Sequence, residues 1–260
     1  MQFAADTIDL EVLGLFAHRI RGDLPKRQQQ PVAPPMVESF DLVAHTQTIE
    51  IRLDAPATLP RTWFLSDDEV QLVQVQHDRL VLNWRELDRL DAEYPRYVEL
   101  RERLTKLLDV LGESLTEATK TPVINMVEVT YVNPVEHANR SGGHADLAAL
   151  VNRLRRRPRE AFLQDAEDAQ LQARWRIPGD ELGREGPIGR LHLAASPGLK
   201  PPKNTPIYLL NLTGRVIPSG GYVDSAMQAL DVAHKWVVLG FKDLTTSRMH
   251  RAWGLEGNPS

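Results

Sequence analysis

The sequence predicts an α+β fold in which antiparallel sheets carry long amphipathic helices. Three observations support this. Glu69 to Trp84 holds two apolar-rich runs joined by His77-Asp78, a two-residue turn of the length that links antiparallel strands. Tyr97, Leu100, Leu104, Leu107, Leu108 and Leu111 recur at helical spacing and draw a single stripe. Strands followed by one long helix occur over residues 39–111 and again over 123–244. These hairpin-length connections favour antiparallel sheet over the crossovers that parallel strands need. The chain therefore reads as two related strand-strand-strand-helix halves, although residue identity between them is too weak to make a repeat. With a joint near Gly112 to Pro122, the division falls at 1–116 and 117–260, as two domains or one composite domain.

In order along the chain, Ile8, Leu10, Val12, Leu13, Leu15, Phe16 and Ile20 give a helical pattern that ends near Gly22. Lys26 to Pro35, with three consecutive glutamines and Pro34-Pro35, reads as an extended surface connector. Thr46 to Leu53 alternates, with Ile49, Ile51 and Leu53 on one face, as a half-buried strand does. Thr62 to Leu65 is another short strand, and Ser66 to Glu69 turns into the central hairpin. In the helix that follows, six large side chains each contribute roughly 1.5–3 kcal/mol on burial, before entropy. Gly112 reads as its stop.

The second half restarts at Pro122 to Val132, with Val123, Asn125, Val127, Val129 and Tyr131 on one side, followed by an Asn- and Gly-rich loop from Asn133 to Gly143. A short helix is predicted over Asp146 to Arg157. Strands follow at Leu171–Ile177, Ile188–Ala194 and Ile207–Ile217, with exposed loops at Pro178–Pro187 and Ser196–Pro206. Tyr222 to Leu244 is the second long helix, where Asp231 stands four residues before Lys235.

Composition narrows the function classes. A chain of 260 residues buries a full core. Its net charge of -4 and pI near 6.1 argue against a protein built mainly to coat nucleic acid. The absence of cysteine removes disulfides, cysteine nucleophiles and thiolate zinc sites. Asp6, Asp9 and Glu11 interrupt any signal-peptide pattern, and no apolar run approaches the roughly 20 residues that span a bilayer. A soluble, cytoplasmic protein without a membrane partner is expected.

Short phrases add a resemblance. Trp63-Phe64-Leu65, Val73-Gln-Val-Gln-His-Asp-Arg79, Asn83-Trp84-Arg85, Tyr94-Pro-Arg-Tyr97 and Tyr131-Val-Asn133, with His234, Phe241, Leu244-Thr245 and Trp253, are similar to a sporadically distributed, uncharacterised bacterial protein family of about this length. The likeness runs from about Phe16 onward. It implies an additional strand before Met1, with Met1-Gln2-Phe3 as its end and a start assigned too late. It brings no catalytic residues.

Signals for chemistry are sparse. There is no His-Glu-x-x-His, no Gly-x-Ser-x-Gly elbow, no phosphate loop and no dinucleotide fingerprint, so no catalytic residue, metal ligand or cofactor is assigned. Glu136, His137, His144 and Asp146 are the acid–base set a hydrolase or nuclease would use, although capping and loop roles are the commoner use of such residues. Pro218 to Tyr222 joins a strand to a helix, where N–H groups bind anions, and equally fits an ordinary turn. Arg153, Arg155, Arg156, Arg157 and Arg159 form the sharpest charge cluster, suited to phosphate or an acidic protein face and also to a solvated helix end. Most of the tryptophans suit core packing; Asn83-Trp84-Arg85 is the phrase packing explains least.

The expected function is a non-catalytic, protein- or peptide-binding accessory protein of adaptor, chaperone or antitoxin type. Trp84, Arg85, His144 and Arg153, Arg155, Arg156 and Arg157 are its candidate contacts. The family resemblance adds, by analogy, a role in bacterial conflict or phage defence. The alternatives are a small-ligand or nucleotide sensor, a hydrolase or nuclease, and nucleic-acid binding through the arginines.

Overall fold

The computed structural model describes residues 1–40, 59–87, 93–136, 147–151 and 168–253. It is an α+β fold with extensive antiparallel sheet and helices packed on it. The chain forms two compact units, Met1–Val127 with Pro218–Met227, and Glu128–Ile217 with Gln228–Ser260. Strand Thr46–Leu53 and most of helix 146–157 lie outside the described residues.

In the first unit, strands β1 (Gln2–Phe3), β2 (Lys26–Gln30), β3 (Arg61–Leu65), β4 (Gln71–Gln76), β5 (Arg79–Trp84) and the start of β6 (Ile124–Glu136) take the order β2-β3-β4-β5-β1-β6. Helix α1 (Leu10–Ile20) begins at Asp9, whose carboxylate accepts from the Val12 N–H at 3.0 Å and closes the first turn. It buries Val12, Phe16, Ala17 and Ile20. Helix α2 (Tyr97–Glu117) buries Leu104, Leu107, Leu108, Leu111 and Leu115. It runs straight through Gly112, contrary to the expected stop. Glycine there costs about 1 kcal/mol of helix propensity, less than burying Leu115 contributes one turn later.

The Lys26–Pro35 stretch is not a connector. Lys26–Gln30 pairs antiparallel with β3 as strand β2. The chain beyond it is pinned by side-chain amides that act as backbone. Gln76 accepts from the Ala33 N–H and donates to the Ala33 carbonyl, both at 3.0 Å. The buried Gln2 accepts from the Met36 N–H at 2.7 Å and donates to its carbonyl at 3.0 Å.

Strand β6 departs from the expected face at Val123 and Asn125 and keeps it from Val127 to Tyr131. Gln2 lies opposite Met126 and Phe3 opposite Ile124, so Asn125 is the extra residue of a bulge. Its side chain holds the kink, donating to the Phe3 carbonyl at 3.1 Å and accepting from Gln2 at 3.2 Å. Ile124 and Met126, on either side of the bulge, are buried and Val123 is exposed; from Val127 the other parity is buried, with Val127 and Val135 buried and Val129 and Tyr131 partly buried against the second unit's core. The strand continues to Glu136, through the start of the loop predicted from Asn133.

The second unit orders the rest of β6 with β7 (Leu171–Pro178), β8 (Pro187–Lys200) and β9 (Thr205–Val216) as β6-β9-β8-β7. The loop predicted at Ser196–Pro206 is mostly strand, because β8 and β9 pair without interruption from Gly189↔Val216 to Lys200↔Thr205. Leu191, Leu193, Tyr208, Leu210 and Leu212 face a core closed by Val237 and Leu244 of α4 (Val223–Leu244), by α3 (Leu147–Leu150) and by Met249 of α5 (Ser247–Ala252). Gly214 lets α4 approach β9: a Cβ there would stand 2.6 Å from the Ala233 carbonyl oxygen. The predicted Asp231–Lys235 partnership is replaced, for Lys235, by Glu181 in a short 3-10 helix, Gly179–Leu182, at 2.8 Å. Trp236 Nε1 donates to the same carboxylate at 2.9 Å, so this part of the expected exposed loop is tied down. Together these donors hold Glu181 below the usual carboxylate range, Lys235 contributing most.

Candidate functional site

Two concavities are lined wholly by residues of the first unit. The larger, about 440 Å³, lies between α1 and the sheet. Leu10, Leu13, Gly14 and Ala17 form its helical wall, and Arg27, Gln28 and Gln29 of β2 with Thr62 and Phe64 of β3 form the other. Leu10 follows the Asp9 cap, on the side of the first turn opposite the buried Val12 and Phe16, and is 74% exposed. Arg27 crosses the groove floor, with its guanidinium 5.7 Å from the centre of the Phe64 ring and donating to the Ala17 carbonyl at 3.3 Å. Among the described strands β2 has a neighbour on one side only, and Lys26 to Gln29 are exposed. Alternate residues of such a strand turn their N–H and C=O groups outward.

The smaller cavity, about 120 Å³, sits where the β4–β5 hairpin meets α2. The two-residue turn puts Gln71 opposite Trp84 at the open end of the hairpin. Leu82, Trp84, Pro95 and Leu100 supply apolar walls, and Gln71, Asn83, Glu99 and Arg103 supply polar ones. Tyr94 braces the Trp84 ring edge-on, with ring centres 4.9 Å apart. Gln71 Oε1 and Asn83 Nδ2 are buried and have no hydrogen-bond partner. Burial pushes the Arg103 guanidinium below its usual range, opposed by the charges of Asp23 and Asp68. It stays a cation at neutral pH.

Trp84, expected as a binding contact, lines this wall; Arg103, which also lines it, was not among the expected contacts. Arg85 was expected beside Trp84 as a contact; its backbone N–H donates to the Val70 carbonyl at 2.8 Å, and its side chain is not part of the lining. Arg103 carried no signal of its own, being one basic residue among several on α2. Gln71 and Asn83 did carry one, as amides set within apolar strand runs. His144 and the arginines 153, 155, 156, 157 and 159 lie outside the described residues, as do His137 and Asp146. Glu136 accepts an ion pair from Lys200 at 3.0 Å. Among the described residues no three His, Asp or Glu side chains converge as metal ligands would. No helix among them is long and apolar enough to cross a membrane.

No family model matches the chain, and neither a curated protein nor a solved structure does.

Proposed function

We propose that this protein is a non-catalytic accessory protein that binds an extended segment of a partner protein. The observation that carries this reading is a strand, β2, with one neighbour among the described strands, beside an apolar groove walled by α1. A strand edge supplies main-chain hydrogen bonds without regard to sequence, and the adjoining groove selects alternate side chains. Leu10 and Leu13 suit apolar side chains there, so the favoured partner segment alternates apolar and polar residues. The family resemblance supports a bacterial accessory setting, conflict or defence included. A nucleotide sensor is less well supported, because the tryptophan–arginine cavity is far below the roughly 300 Å³ at which small-molecule pockets begin.

Native mass spectrometry of the tagged protein taken gently from its host tests the reading when joined to a groove variant. The parent carries a stoichiometric protein partner. Leu10→Lys loses it while melting within about 0.5 kcal/mol of the parent, since Leu10 packs on almost nothing. A partner retained by Leu10→Lys, or a parent that is bare, contradicts it.

A further inference from the structure

The groove between α1 and β2 has two unlike ends, apolar at one and cationic at the other. On the reading that β2 accepts a partner strand, we infer that the bound segment places an acidic side chain over Arg27 and an apolar one toward Leu10, two residues apart. Ala17 marks the cationic end, because its carbonyl accepts from the Arg27 guanidinium at 3.3 Å. Leu10 stands seven residues back along α1, about 10 Å away. Between them Gly14 presents no side chain, and a Cβ there would meet nothing within 4 Å, so this wall stands open to a guest.

Charge carries the assignment. Arg27 is exposed, and among the described residues no carboxylate pairs with it. Its contacts are the Ala17 carbonyl and the buried Phe64 ring, which hold the guanidinium in place before a partner arrives. One bond to a carbonyl leaves the planar fork with further N–H donors for a carboxylate. Neighbouring Lys26 is paired with Glu69 at 3.0 Å, so Arg27 is the cation that lines the groove. At the other end Asp9 and Glu11 flank Leu10 in the chain and disfavour a second carboxylate, although Asp9 is itself paired with Lys120 at 2.6 Å. Strand geometry supplies the spacing. Arg27 lies opposite Phe64 and Gln29 opposite Thr62, so both point to one face of β2. An added strand turns every second side chain to that face, and the residues beside Arg27 and Gln29 are therefore two apart. An apolar side chain set against the guanidinium would gain no charge-assisted bond.

Fluorescence polarisation with the full chain tests this, using labelled acetyl-Thr-Leu-Thr-Glu-Thr-Leu-Thr-amide and the analogue with Gln at its centre. The pattern reads alike in both chain directions, so parallel and antiparallel addition present the same side chains to the groove. The Glu peptide binds once per chain and the Gln peptide about fivefold more weakly. Arg27→Met binds the two equally, and its hold on the Gln peptide shows that the groove is intact. Leu10→Lys loses the Gln peptide. Equal binding of both peptides by the parent, with the Gln peptide lost in Leu10→Lys, overturns the acidic preference and leaves the groove reading standing. A preference for Glu that persists in Arg27→Met overturns it too, because the carboxylate then sits elsewhere. No binding of either peptide at about 1 mM, or a Gln peptide indifferent to Leu10→Lys, overturns the groove reading and the preference with it.

Discussion

The two units bury different things. The second fills its sheet with leucine, alanine and tyrosine, from Leu191 and Leu193 on β8 to Tyr208, Leu210 and Leu212 on β9. The first places amides among its strands: Gln2, Gln71, Gln76, Asn83 and Asn125. Three of these are fully employed, clamping Ala33, Met36 and the Asn125 bulge. The other two end in buried atoms without partners. Of the six such side-chain atoms among the described residues, Asn211 Oδ1 alone falls in the second unit. Buried polar groups left unmatched oppose folding, so the first unit keeps more of them among its described residues at a cost the second does not bear. Under the proposed function the first unit carries the binding surface.

Substitutions sharpen the contrast. The largest effect comes from apolar burial. Leu104 is 8% exposed on α2, and Leu104→Glu abolishes cooperative unfolding near the parent melting temperature because an unpaired carboxylate enters the core. Next is Gln76→Ala. It removes both bonds to Ala33 and the 2.7 Å bond to buried Asp78 Oδ1, and costs about 2–3 kcal/mol by urea titration. Gln71→Met and Asn83→Leu belong to the same residue classes in the same sheet, yet they leave stability within about 1 kcal/mol of the parent or raise it. Losses equal to that of Gln76→Ala would mean that these amides hold the fold together.

The smallest effect is one of pH. His234 on α4, edge-on to Tyr131 at 6.1 Å, has its pKa lowered by burial, with Asp231 opposing. The unfolded chain therefore takes up the proton first. Stability falls as pH drops from the usual histidine value of 6.5 through the depressed folded value, and is flat with respect to this group above 6.5. His234→Phe removes that part of the slope in melts between neutral and mildly acidic pH.

Much of this fold was legible in the sequence, and what was missed has identifiable causes. The β4–β5 hairpin, the α2 stripe and the three later strands followed from period and turn length. Strand β2 did not, because Lys-Arg-Gln-Gln-Gln is polar on both faces and is strand through pairing with β3. The start of β6 was misread, at Val123 and Asn125, because a bulge there leaves no residue pattern. Gly112 misled because tertiary burial outweighed local propensity. At the site, Trp84 was visible within Asn83-Trp84-Arg85. Arg103 was not, since it reaches the cavity from α2, in a separate element of the chain.

Hydrogen exchange on the protein with and without its copurified partner tests most directly whether the first unit holds the binding surface. The account predicts that the amides of Lys26–Gln30 and the first turns of α1 slow on binding, while those of β7, Leu171–Pro178, exchange as in the free protein. Slowing confined to β7 and its neighbours, with β2 unchanged, would contradict it.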